Sequence, residues 1–378
     1  MGIALSEDHR LLVGAVRDFA RGELAQRDAE WDRTETSCCE ALGQVAEMGL
    51  MGLRVPEKYE GLGIPNVCYA HIIRELAYAT PSVAVTVSVH NMVCEIVHQF
   101  GSDELKREVL PLLVEAGGLS AFAISEPDAG SDPSSAKTRA EKADGGWRLT
   151  GNKMWVSNGQ FGRWYAVLAR VDGAPGALCM FLMDAQQPGV SRRTIHGKMG
   201  IRGSETGEMT LEGAFVPDHH LLGEVGWGMR VALSALDGGR IGIASQAVGI
   251  ANACVDLMIG YSKERQQFGE PIASFQAIQW MIADSYVETA ASQQLIDKAS
   301  WLKDQGRPYT QAASMAKLYA GEAANRIAYR AVQVHGGYGY VNEFRVERLY
   351  RDARITTIYE GTSEIQRIVI ARELLREG

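Results

Sequence analysis

The stretch Phe122-Ala123-Ile124-Ser125-Glu126-Pro127-Asp128-Ala129-Gly130-Ser131-Asp132 marks the point at which the chain changes character. Before it, apolar residues recur at helical spacing; after it, short apolar runs are separated by Gly and Asp turns. The segment itself passes from apolar residues to a polar turn of small ones, where a backbone can come close to a ligand. Standing alone it would be a turn between two regions.

Toward the N-terminus the pattern is helical. Ser6 is placed to cap a helix whose apolar positions Leu12, Ala15, Val16 and Phe19 form one face. A second helix is expected from near Ser102 through Leu105, Val109, Leu112 and Leu113, with Pro111 bending or ending it and Gly117-Gly118 marking a boundary. Toward the C-terminus, Trp147 to Thr150 and Tyr165 to Val171 read as strands, and Asp144-Gly145-Gly146 reads as a hairpin turn. Polar-apolar alternation recurs until Val216-Pro217, and Gly223 to Gly228 reads as a connecting loop.

Beyond Met229 the chain is helical again, with proline-free runs over Ile241 to Arg265 and Ser274 to Trp301. Ser363 and Gln366 have the spacing of a capping box, so a last helix is expected just after Gly361, leaving Tyr359-Glu360-Gly361 as a loop at its entrance. The expected fold class is α+β: an N-terminal α-helical domain over 1–119, a middle antiparallel β domain over 120–225, and a C-terminal four-helix-bundle-like domain over 226–378.

Composition narrows the function. With 378 residues, 46% hydrophobic and 22% charged, the chain is of ordinary globular character and long enough for more than one core. A formal net charge of -8, with both signs interspersed, argues against nucleic acid as a partner. The six cysteines have neither zinc-ligand nor disulfide-scaffold spacing, which fits a reducing compartment. No leader pattern and no apolar run of the roughly 20 residues a membrane span needs is visible. A soluble, cytoplasmic protein with no membrane span and no metal site is expected. Walker loops, HExxH and nucleophile elbows are missing, and the glycine patterns at Gly61 and Gly337 lack the setting of a Rossmann fingerprint. A bound nucleotide would need another scaffold.

Five further segments follow the first: Met154-Trp155-Val156-Ser157-Asn158-Gly159, Lys198-Met199-Gly200-Ile201-Arg202-Gly203, Glu264-Arg265-Gln266-Gln267-Phe268-Gly269, Gln333-Val334-His335-Gly336-Gly337 and Ile358-Tyr359-Glu360-Gly361-Thr362-Ser363. In these residues and in their order the sequence resembles the acyl-CoA dehydrogenase family over nearly its whole length. The resemblance implies FAD-dependent α,β-dehydrogenation of an acyl-CoA thioester to the trans-2-enoyl-CoA. Glu360 would abstract the α-proton while the β-hydride passes to flavin N5. Some family members carry the base on the helix before the arginine matching Arg240, where this chain has Gly239.

The other roles are likewise implied by the resemblance. Ser131, Asp237, Arg240 and Gly361 would lie on the substrate side. Phe122, Ile124, Ser125, Ser131, Trp155, Val156 and Ser157 would meet the flavin, with Thr362 and Glu364 beside the base. Arg265, Phe268, Gln276, Gln333, Val334, Gly336 and Gly337 would hold the adenine and pyrophosphate half of FAD from a neighbouring subunit, in a homotetramer built as a dimer of dimers. Asp128 stands where many relatives have glycine, and this departure bears on the CoA contacts. An electron-transferring flavoprotein is the implied electron acceptor, with acyl-CoA oxidase or flavin monooxygenase chemistry as alternatives on the same fold. A short or branched acyl group is preferred.

Overall fold

The computed structural model describes residues 5–171 and 177–376. Six helices open the chain: α1 (Glu7–Phe19), α2 (Ala25–Thr34), α3 (Leu42–Glu47), α4 (Asn66–Ala79), α5 (Pro81–Phe100) and α6 (Asp103–Leu113). The Ser6 and Ser102 hydroxyls accept from the backbone N–H of His9 and Leu105, both at 3.1 Å, so the two caps form where expected. Two details differ. Val13, not Ala15, completes the buried stripe of α1, because it lies three residues before Val16 on the inward face. α6 continues past Pro111 to Leu113, because the last turn buries Leu110 and Leu113.

Eight strands follow: β1 (Ser120–Ala123), β2 (Arg139–Ala143), β3 (Gly146–Ser157), β4 (Trp164–Val171), β5 (Leu178–Asp184), β6 (Val190–Thr194), β7 (Thr206–Pro217) and β8 (Leu221–Leu222). The Asp144-Gly145 turn joins β2 to β3, with Ala143 opposite Gly146 and Gly145 at φ 69°. The sheet is mixed rather than purely antiparallel, since β4 pairs in parallel with both β1 and β2. β4 is buried on both faces. Trp164, Ala166 and Leu168 meet a core shared with α5 and the next helix, while Tyr165, Val167 and Ala169 face the opposite core. Its sequence is therefore a continuous apolar run, whereas β7 alternates.

The C-terminal part holds α7 (Gly228–Glu264), a small hairpin of β9 (Gln266–Gln267) and β10 (Glu270–Pro271), α8 (Gln276–Asp304), α9 (Thr310–His335), α10 (Arg345–Ala353) and α11 (Ser363–Arg376). α7, α8 and α9 pack on one another and α11 packs on α9, giving the four-helix core, while α4 and α5 lie along α7. By length and apolarity α7 meets the criterion for a membrane span, but 83% of its apolar window is buried in protein, which makes it a core helix. The six cysteines are all free.

Candidate active site

α11 has no capping box of the expected register. Thr362, one residue earlier than Ser363, accepts from the Ile365 N–H at 3.3 Å. Gln366 turns back to donate to the carbonyls of Gly361 at 2.9 Å and Glu360 at 3.2 Å. From α9, Lys317 donates to the same Gly361 carbonyl at 2.6 Å. These bonds hold two consecutive residues at positive φ, Glu360 at 53° and Gly361 at 88°. Glycine accepts that geometry freely; a glutamate there is strained and persists because its surroundings over-determine it. Tyr359 is anchored in turn by its hydroxyl, which donates to Gln246 on α7.

The strained turn aims the Glu360 side chain at α7. A methyl group at Gly239 would lie 2.6 Å from Glu360 Oε2 and 2.9 Å from Met92 Sδ, so the carboxyl rests on bare helix backbone. Gly239 thus occupies the spot on which the carboxyl reaching over from position 360 converges. Although Glu360 as a residue is partly exposed, its Oε2 is sealed from solvent and has no hydrogen-bond partner. Burial raises its pKa to about 7, with Arg240 and Lys317 pulling the other way. Burial also lowers Lys317 to about 8. Among the described residues, no protein acceptor receives the Glu360 backbone N–H.

Arg240 is buried beside this carboxyl, but its own charge is met by Asp237, and it also reaches Ser314 Oγ at 3.3 Å. The second Asp237 oxygen accepts from Thr310 at 2.5 Å. Asp237 is therefore engaged within the helical core, and burial raises its pKa.

The β-sheet residues gather at one edge. Phe122 ends β1, and Ile124 and Ser125 follow it; the Ser125 carbonyl accepts from Met154 N–H at 3.0 Å. Between Lys153 and Val156 the pairing of β3 with β7 slips, and Trp155 takes φ 60°. This bulge turns the indole out of the sheet, leaving Trp155 59% exposed beside Ser157 while Val156 stays buried. A buried ion pair fixes the arrangement: Lys153 Nζ lies 2.8 Å from Glu126 Oε1, and Glu126 also accepts from the N–H groups of Lys137 and Thr138. Ser131 lies exposed in the loop beyond. Asp128 pairs with Lys137 at 2.8 Å, both largely in solvent.

Arg265, Val334, Gly336 and Gly337 line one cavity of about 680 Å³ at the far end of α7. Gly336 caps α9 at φ 60°, and its N–H reaches the Gln333 carbonyl. Phe268 and Gly269 form the hairpin tip, both at positive φ, with the Phe268 ring 94% exposed. Gln276 opens α8 on the same side and is exposed, as is Gln333. Thr362 and Glu364 stay with Glu360 at the start of α11.

Lys317 and the Glu126–Lys153 pair carry no role in the sequence pattern, and Gln366, expected in a capping box, instead ties down the Glu360 turn. Lys317 carried a signal: it lies among Ala313, Ala316 and Ala320 on the apolar stripe of α9, where a lysine is out of place.

Known proteins agree with this architecture. The N-terminal, middle and C-terminal domains of acyl-CoA dehydrogenase match residues 6–116, 121–214 and 226–375. The chain belongs to the acyl-CoA dehydrogenase family and is an oxidoreductase. An acryloyl-CoA reductase (NADH) of Anaerotignum propionicum is 39% identical over 100% of this chain and 96% of its own. The butyryl-CoA dehydrogenase structure from Megasphaera elsdenii is 37% identical, covers both chains fully and superposes with a TM-score of 0.96. A Mycobacterium smegmatis glutaryl-CoA dehydrogenase in complex with FADH2 is 28% identical over 98% of this chain and 95% of its own, with a TM-score of 0.92. The fold, the acyl-CoA dehydrogenation class and a flavin cofactor are thereby those expected from the sequence.

Proposed function

We propose that Glu360 is the base that removes the α-proton of a short acyl-CoA thioester, taking it at Oε2. The observation that carries this reading is an unpartnered carboxyl oxygen, closed off from water and seated on Gly239. A pKa near 7 suits a base that must accept a proton from a weak carbon acid and release it afterwards. The free Glu360 N–H is a donor available to the thioester carbonyl, where charge develops as the proton leaves. Lys317 and Gln366 keep that N–H and the carboxyl on one rigid turn.

FAD, when bound, supplies the hydride acceptor. Phe122, Ile124, Ser125, Trp155 and Ser157 fit its ring: a bulge presents an indole face at the edge of the sheet, and the hydroxyls supply polar contacts. Arg265, Phe268, Gln276, Gln333, Gly336 and Gly337 fit its phosphates and adenine. Their distance from Glu360 supports delivery to a neighbouring subunit, within a homotetramer. Ser131 and Arg240 remain the substrate-side candidates, and Asp237 acts through Arg240. Electrons would pass to an electron-transferring flavoprotein.

A short acyl group is favoured because α5 and α7 close on each other beside the base. A methyl group at Gly242 would meet Ser88 Oγ of α5 at 2.3 Å, and one at Gly238 would meet Glu95 Oε2 of α5 at 3.4 Å. The named relatives, an acryloyl-CoA reductase and a butyryl-CoA dehydrogenase, also work on small acyl groups, in opposite directions.

The test is anaerobic bleaching of the bound flavin with a panel of linear, branched and dicarboxylic acyl-CoA thioesters. Glu360→Gln is expected to keep flavin and thioester binding and to slow bleaching by about 10³-fold or more. In the unsubstituted protein, the rate should rise with pH through about 7 as the carboxyl ionises. Near-normal bleaching by the variant overturns the assignment.

A further inference from the structure

Away from the carboxyl pocket, three ligand-type side chains converge at the junction of α6 with the sheet. Glu108 on α6 meets His219 and His220 of the short turn Asp218–His220, and their ligand atoms all lie within 4.8 Å of one another. His219 Nε2 is 2.9 Å from Glu108 Oε2, and His220 Nε2 is 3.4 Å from Glu108 Oε1. The two rings stand almost perpendicular, at 88°.

His220 carries the argument. It is 4% exposed, and its Nδ1 lies 3.0 Å from the Leu182 carbonyl. A carbonyl only accepts, so Nδ1 holds the hydrogen and Nε2 of the neutral ring presents a lone pair. That Nε2 is buried, has no hydrogen-bond partner and faces a carboxylate oxygen. A lone pair and an anion facing each other repel unless a cation lies between them.

We propose that Glu108, His219 and His220 bind one divalent transition-metal ion of the zinc class, through the carboxylate and the two Nε2 atoms, with water completing the shell. Two imidazoles and one carboxylate form a three-ligand set that leaves a coordination position open. Nitrogen donors favour zinc-like ions over magnesium or calcium. The Leu182 carbonyl plays the usual outer-shell part, fixing the tautomer of a ligating histidine. Glu108 and His219 are partly exposed and give the ion its entry, while His220 closes the site from within. Bound there, the ion would tie the N-terminal helices to the segment between β7 and β8.

The full-length, flavin-loaded protein is treated with a chelator, desalted and titrated with Zn2+ near neutral pH by calorimetry, with excess Mg2+ present. One equivalent per chain is expected, with a rise in thermal midpoint. The affinity should fall about tenfold or more in both Glu108→Gln and His219→Asn. Both substitutions lie at the partly exposed rim, and retained flavin absorbance verifies their folding. Absence of saturable binding in the unsubstituted protein overturns the proposal and assigns the gap to a proton. Binding that survives both substitutions unchanged also overturns it.

Discussion

Gly239, in the first half of α7, and the C-terminal end of that helix solve opposite problems. At Gly239 the helix gives up a side chain so that a carboxyl from the same chain can settle on its backbone. At Arg265, 26 residues further on and about 39 Å away at the helical rise of 1.5 Å per residue, the chain presents polar groups and a bare phenylalanine outward. Both places hold residues in left-handed backbone, Glu360 at one and Phe268 at the other. The first is tied down by bonds from α9 and α11; the second has its ring almost wholly in solvent. Strain that is locked from within belongs to a finished site, whereas strain on an exposed apolar tip belongs to a surface made to be covered.

The contrast can be broken most sharply at the sealed place. Because the folded-state pKa of Glu360 is raised from 4.5 to about 7, the folded protein holds its proton more tightly than the unfolded chain. Stability contributed by that proton is complete below about 4.5 and is lost as pH rises through 7. Glu360→Gln removes this penalty, so it should stabilise the protein at pH 8 by up to about 3 kcal/mol and by almost nothing at pH 4.5. Denaturant unfolding at the two pH values measures this, and an equal effect at both would show that the carboxyl is not desolvated. Next in size is Gly239→Ala, whose methyl group must push the carboxyl aside. Flavin bleaching should slow about 100-fold with flavin retention unchanged.

At the outward end, Arg265→Ala should weaken flavin retention about tenfold, the worth of a charge-assisted hydrogen bond, without moving the pH dependence near 7 that Glu360 sets. Dilution followed by flavin fluorescence reads the loss; a matching loss of thioester affinity would mean that the two places are not separate. The smallest effect belongs to Asp128→Gly. Its pair with Lys137 is solvent-exposed, so the thermal midpoint should scarcely move.

Much of this was legible before any coordinates. Ser6 and Ser102 announced their helices by cap chemistry, Asp144-Gly145 announced its hairpin, and the proline-free runs announced α7 and α8. These signals are local: a hydroxyl and an N–H three residues apart, or a glycine at positive φ. The parallel partners of β4 were not legible, since pairing between β1, β2 and β4 joins segments separated by whole strands. The cap of α11 slipped by one residue because Gln366 is drawn to the Glu360 and Gly361 carbonyls by the strained turn, a tertiary demand that spacing does not report.

For the site the division follows the same line. Order along the chain determined which residues are assigned the chemistry, because Glu360 and Gly361, the Trp155 segment and the Arg265–Phe268 hairpin are each contiguous. Only the folded structure decided that Glu360 Oε2 is dry, that Gly239 is its seat and that Lys317 holds its turn. Burial and its effect on a carboxyl depend on what three distant helices bring to one point, and no single stretch of sequence contains that sum.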